Sequence, residues 1–170
     1  MDSLAKGGVN LFDCLALNRS IKKLSLIGRF DFDQRFFYPF QRMLLPFFQN
    51  NRSFQCLSIS FYSDEDGRYH LLTHMLTRFD SLKEFCLLAN STTCDPVVMN
   101  DINGLLEALH FHAGLEKLTL NKELGGLGLQ ELANLLQNPR SNIMKLRLCR
   151  IDNEGAYILL SGLNGNEKLK

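Results

Sequence analysis

His70 and His74 are the first residues of this chain whose spacing invites chemistry. In Arg68-Tyr69-His70-Leu71-Leu72-Thr73-His74 they stand at i and i+4, which on a helix puts both imidazoles on one face and could begin a zinc site. A structural site needs two further ligands, and no cysteine or acidic pair stands at a supporting spacing. Both are read as surface histidines, and His110 and His112 as residues at a helix end. The run Leu124-Gly125-Gly126-Leu127-Gly128 invites a phosphate loop. It has neither the Gly-x-x-x-x-Gly-Lys-Ser/Thr order nor Gly-x-Gly-x-x-Gly, so its glycines are read as a turn that uses positive φ angles. Cys56, Cys86 and Cys149 fall on outward strand positions in different rows and columns, converging on neither a metal nor a disulfide. Asn18, Asn51 and Asn90 open Asn-x-Ser/Thr sequons. Asn18 and Asn51 share one place before a strand, where Asn suits a helix C-terminus, and that reading is preferred to glycosylation. No Ser/His/Asp or Cys/His set assembles. The sequence reads as no enzyme, with no cofactor, no metal and no small-molecule substrate.

The elements that carry these residues belong to a chain of 170 residues, the size of one domain. Hydrophobic residues at 45% and charged residues at 22% exclude a disordered chain. Nineteen basic against 18 acidic residues leave a net charge of +1, so no global field points to nucleic acid or a membrane surface. Apolar runs such as Met43-Leu44-Leu45 are far too short to span a bilayer. The opening Met1-Asp2-Ser3-Leu4-Ala5-Lys6-Gly7-Gly8 has no apolar leader. An odd count of five cysteines suits reduced thiols. The expected location is the cytoplasm, with the nucleus as the second choice.

One pattern organises the whole chain. Five segments share apolar-x-x-apolar-x-apolar: Ile21–Leu26, Phe54–Ile59, Leu82–Leu87, Leu115–Leu120 and Ile143–Leu148, with Leu169 opening a sixth. Starts at 21, 54, 82, 115, 143 and 169 give intervals of 33, 28, 33, 28 and 26. Before each strand lies a pair of apolar residues four apart: Leu11 and Leu15, Leu44 and Phe48, Leu72 and Leu76, Leu105 and Leu109, Leu132 and Leu136, Leu159 and Leu163. Four-residue spacing is a helix face and alternation is a strand. Each unit is then helix, turn, strand. Strands repeated in that order must be parallel, with the helices covering one side.

This pattern resembles the leucine-rich repeat family, and the intervals look like its ribonuclease-inhibitor-like subclass. The likeness covers about Gly8 to Lys170 and departs from the family at Ile151, where a polar Asn or Cys is usual. It implies an α/β fold, a right-handed horseshoe solenoid of helix–strand repeats with a parallel sheet on its concave side. Residues 1–170 are expected to form a single domain of about five repeats, a fragment of a longer array with its last helix weakly anchored.

On that register Leu24, Leu57, Phe85, Leu118 and Leu146 form one inward column, and Leu26, Ile59, Leu87, Leu120 and Leu148 the next. The outward residues would line the concave wall. Lys117, Lys122, Lys145, Arg147 and Arg150 gather there as a basic patch, partly neutralised by Glu84 and Glu116. Ile27, Phe61, Tyr62 and Leu88 gather as an apolar patch. The function expected is protein–protein interaction through this wall, with an acidic partner surface, as the resemblance also implies. The alternative is regulation of a small GTPase, for which Arg147 or Arg150 would have to reach a nucleotide. Nucleic-acid binding ranks third, because exposed aromatics are not interleaved with the cations.

Overall fold

The computed structural model describes residues 14–15, 17–28, 46–61, 72–74, 76–77, 81–89, 96–121, 124–149, 151–164 and 166–169. Five strands, β1 (Lys23–Gly28), β2 (Cys56–Phe61), β3 (Glu84–Ala89), β4 (Lys117–Asn121) and β5 (Lys145–Leu148), form one sheet in chain order. Every neighbouring pair is parallel. Between and after the strands run α1 (Pro96–Leu109), α2 (Gly126–Gln137) and α3 (Asn153–Leu163). Shorter helical stretches at 46–50 and 72–74 precede β2 and β3. The protein is an α/β fold built on a five-stranded parallel sheet.

The register is the one that the repeat demands. Leu24 pairs with Leu57, Leu57 with Phe85, Phe85 with Leu118 and Leu118 with Leu146. Leu57, Phe85, Leu118, Ile59, Leu87 and Leu120 are buried, and the two edge strands leave Leu24, Leu26, Leu146 and Leu148 half-buried. The helix pairs meet them from one side: Leu72 and Leu76, Leu105 and Leu109, Leu132 and Leu136 are all in the core. Parallel strands leave no hairpin to fix register. Here it is fixed by which residues of each strand can face the helices.

Backbone bonds repeat with the units. Lys22 O accepts from Gln55 N and Cys56 N at 2.8 and 2.9 Å, and Gln55 O from Lys83 N and Glu84 N at 2.8 and 2.9 Å. Lys83 O and Glu116 O do the same for Glu116 with Lys117, and for Met144 with Lys145. Each carbonyl at a strand entry thus serves two amides of the next strand. Ahead of β2 the rings of Phe47, Phe48 and Phe54 pack against one another in the core, with centroids 5.1 to 5.5 Å apart.

The glycine run does not use positive φ. Gly125 caps α2 at φ −69°, and Gly128 sits under α1, where a Cβ would lie 3.4 Å from Asn103 Oδ1. Gly128 serves close helix packing and Gly125 an ordinary extended cap, so the sequence-based expectation of a positive-φ turn is corrected. The last helix is likewise seated rather than loose. A Cβ on Gly155 would lie 2.6 Å from Leu129 Cδ1, and one on Gly162 would lie 2.7 Å from Ala133 Cα, so α3 rests directly on α2. Asp152 accepts from Gly155 N at 2.7 Å and caps α3.

Candidate functional site

The outward side of the sheet is built row by row from the strand register. One row runs Lys23, Cys56, Glu84, Lys117, Lys145, and the next runs Ser25, Ser58, Cys86, Thr119, Arg147. Strands about 4.8 Å apart bring neighbours in a row into direct contact. Lys117 Nζ donates to Glu84 Oε1, and Cys56 Sγ donates to Glu84 Oε2 at 3.7 Å. A hydrogen bond from Lys117 is the main reason the Glu84 carboxyl stays below its ordinary range, and the same bond holds the Lys117 ammonium above its own. Burial, with Glu84 beside it, pushes the Cys56 thiol up. That thiol is no activated nucleophile. Glu116 turns away from the row and pairs with Lys83 at 3.4 Å.

The basic patch expected from sequence is therefore divided. Lys117 is committed to Glu84, whereas Lys145 and Arg147 on β5 are exposed and enter no ion pair among the described residues. Lys122 and Arg150 lie outside the described residues. The apolar patch is thinner than its sequence suggests. Ile27 is 69% exposed and Leu88 half-buried, but Ser60 stands between them in the same row. Phe61 falls in the following row, opposite Gly28 and Ala89, and Tyr62 lies outside the described residues.

His70, too, lies outside the described residues, and His74 is half-buried. Among the described residues no group of three His, Cys, Asp or Glu is placed to hold a metal. Cys14, Cys56, Cys86 and Cys149 are free thiols. Asn51 is 1% exposed: its Nδ2 donates to Ile21 O at 3.1 Å and its Oδ1 accepts from Ser53 N at 3.2 Å. A glycan on that nitrogen would break the bond that joins two units. His112 takes the same repeat place and is buried as well, which helix-end reasoning missed. The signal was available in the shared offset of Asn18, Asn51, His112 and Asn166 from their strands. Exposed apolar residues also escaped the sequence reading, chiefly Leu17, Phe111, Leu127, Tyr157 and Leu160. No periodicity flags them, because none stands at an apolar position of the repeat pattern.

No protein-family model matches this chain, and no curated protein does. Solved structures do match, and two of them are covered over nearly their whole length. One is the tropomodulin C-terminal domain from Caenorhabditis elegans, with a TM-score of 0.60 and 10% identity, covering 92% of this chain and 91% of that one. The other is leiomodin-1 actin-binding site 2, with a TM-score of 0.59 and 14% identity, covering 97% of this chain and 92% of that one. The likeness is one of fold. It corrects the resemblance drawn from the sequence, since the chain is similar to these domains and is not placed among ribonuclease-inhibitor-like leucine-rich repeats. The physical reason is that the apolar signature records burial. Any stack of parallel helix–strand units with one covered sheet face needs those apolar positions, whatever its ancestry. The GTPase alternative is not carried forward either: Arg147 stands exposed on an open sheet face, and the similar structures are a tropomodulin domain and a leiomodin actin-binding site.

Proposed function

We propose that this chain is a non-catalytic protein-binding domain, with actin as its first candidate partner. The observation that carries this reading is the fold shared with leiomodin-1 actin-binding site 2 across 97% of the chain. The binding surface in this reading is the outward sheet face, with Lys145 and Arg147 attracting an acidic partner surface and Ile27 and Leu88 adding apolar contact. Lys117, Lys122, Arg150, Phe61 and Tyr62 complete the set on sequence grounds. In this reading the helix–strand units stack as a right-handed solenoid, and residues 1–170 form a single domain. Its place of action is the cytoplasm, and no helix among the described residues is long and apolar enough to cross a membrane.

Co-sedimentation with filamentous actin, together with a polymerisation assay on monomeric actin, tests the reading. Binding in either assay is expected, and it should weaken for Lys145→Glu/Arg147→Glu, most at low salt where screening is least. Absence of binding to both forms of actin would remove actin as the partner. Binding that survives the charge reversal at every salt concentration would move the interface off this face.

A further inference from the structure

Lys23, Cys56, Glu84, Lys117 and Lys145 face outward in register across the whole sheet, and Glu84 is the single acidic side chain in that row. Both of its carboxylate oxygens are taken, Oε1 by Lys117 and Oε2 by Cys56. Lys117 and Lys145 are direct neighbours on β4 and β5, a like-charge pair that repels. By leaning towards Glu84, Lys117 relieves that repulsion and leaves Lys145 alone with Arg147. These two cations are two residues apart on one strand face, about 7 Å. We infer that Glu84 is a built-in competitor for the acidic partner of this face, occupying Lys117 and confining an incoming carboxylate to Lys145 and Arg147. The inference rests on the reading of the outward face as the binding surface and adds what limits the affinity and position of the partner there.

Several features support a protein carboxylate as the occupant. The carboxylate that the row already holds is a side-chain carboxylate, gripped by a lysine across one strand spacing. A partner's Asp or Glu laid over β5 would meet Lys145 in the same row and Arg147 in the next. Lys23, at the far end of the row, has Ser25 and not a second cation two residues along its strand, and offers no such pair. Removing the Glu84 charge would release Lys117 and make three adjacent cations where there had been two.

Fluorescence anisotropy with a labelled hexaglutamate peptide at low ionic strength tests this. The wild-type chain should bind weakly, and Lys145→Ala/Arg147→Ala should lose at least tenfold in affinity. Glu84→Gln should bind about fivefold more tightly, the size of one added charge contact in a water-like medium. Lys117→Gln, which leaves the Glu84 charge unpaired, should bind more weakly than wild type. Thermal melts of each variant establish that it is folded. No peptide binding by wild type, unchanged or weaker binding by Glu84→Gln, or full binding by the double alanine variant would overturn the inference. So would tighter binding of a single-stranded oligonucleotide of equal charge. Actin co-sedimentation with the same variants keeps the two ideas apart: actin binding that persists while Glu84→Gln changes nothing would remove the competitor and leave the protein-binding reading standing.

Discussion

The Nε2 of His112 donates to the carbonyl oxygen of Leu76 at 2.7 Å, joining two units across 36 residues of chain. A carbonyl can only accept, so this nitrogen carries the proton. Asn166 Nδ2 makes the equivalent bond to Leu136 O at 2.8 Å. Each acceptor is the second core leucine of the preceding helix, whose last carbonyls have no partner within the helix. His112→Ala should therefore destabilise the fold by roughly 1–3 kcal/mol, the range for a buried acceptor left unsatisfied. His112→Asn should recover part of that loss, because Asn already does this work at position 166. Urea midpoints for the two variants decide the point; equal losses would mean that side-chain volume, and not the bond, is what the position requires.

The seat of α3 on α2 makes a second contrast. Gly162→Ala puts a methyl 2.7 Å from Ala133 Cα and Cβ, with backbone behind it that cannot swing away. Gly126→Ala meets nothing within 4 Å. The first should cost roughly 1–3 kcal/mol by overpacking, and the second should be neutral or stabilising. Hydrogen exchange should show lost protection in Tyr157–Leu163 for Gly162→Ala alone.

Adjacent residues on β4 test the register itself. Leu118 is buried, and Thr119 lies half-exposed on the outward face. Leu118→Ala should lose roughly 2–5 kcal/mol, while Thr119→Ala should stay within about 0.5 kcal/mol. Comparable losses would exchange the two faces and remove every outward assignment made above.

The Glu84–Lys117 pair carries a pH dependence with a defined sign. The Glu84 carboxyl is depressed, chiefly by the Lys117 hydrogen bond, so its contribution is present above the ordinary carboxylate value and lost as pH falls through the depressed one. Lys117 is raised by the same bond, so its contribution is present below the ordinary lysine value and lost as pH climbs through the raised one. Glu84→Gln should thus differ from wild type by a constant, small amount across neutral pH, and the difference should vanish in acid. Because Glu84 also helps to hold the Cys56 thiol up, the same variant should speed alkylation of Cys56, which otherwise lags behind the exposed Cys14. Melting temperatures from pH 2 to 8 and a timed iodoacetamide reaction provide the readings.

Strand order, parallel pairing and the inward columns from Leu24 to Leu146 were legible in the amino-acid sequence, because burial on one face forces alternation and burial under a helix forces four-residue spacing. Those are local requirements, repeated in every unit, and a repeated requirement survives insertions such as the one before Phe54. The row containing Glu84 and Lys117 was legible as a list of neighbours. Its charge balance was not: whether Lys117 reaches Glu84 or Lys145 is decided by side-chain geometry across strands, which leaves no trace in spacing. The same holds for Gly162 against Ala133 and for His112 against Leu76, contacts between residues distant in sequence whose partners exist only once the units are stacked. Family membership was beyond the pattern for a related reason. Apolar spacing reports that a face is covered, and many unrelated chains can cover a face in the same way.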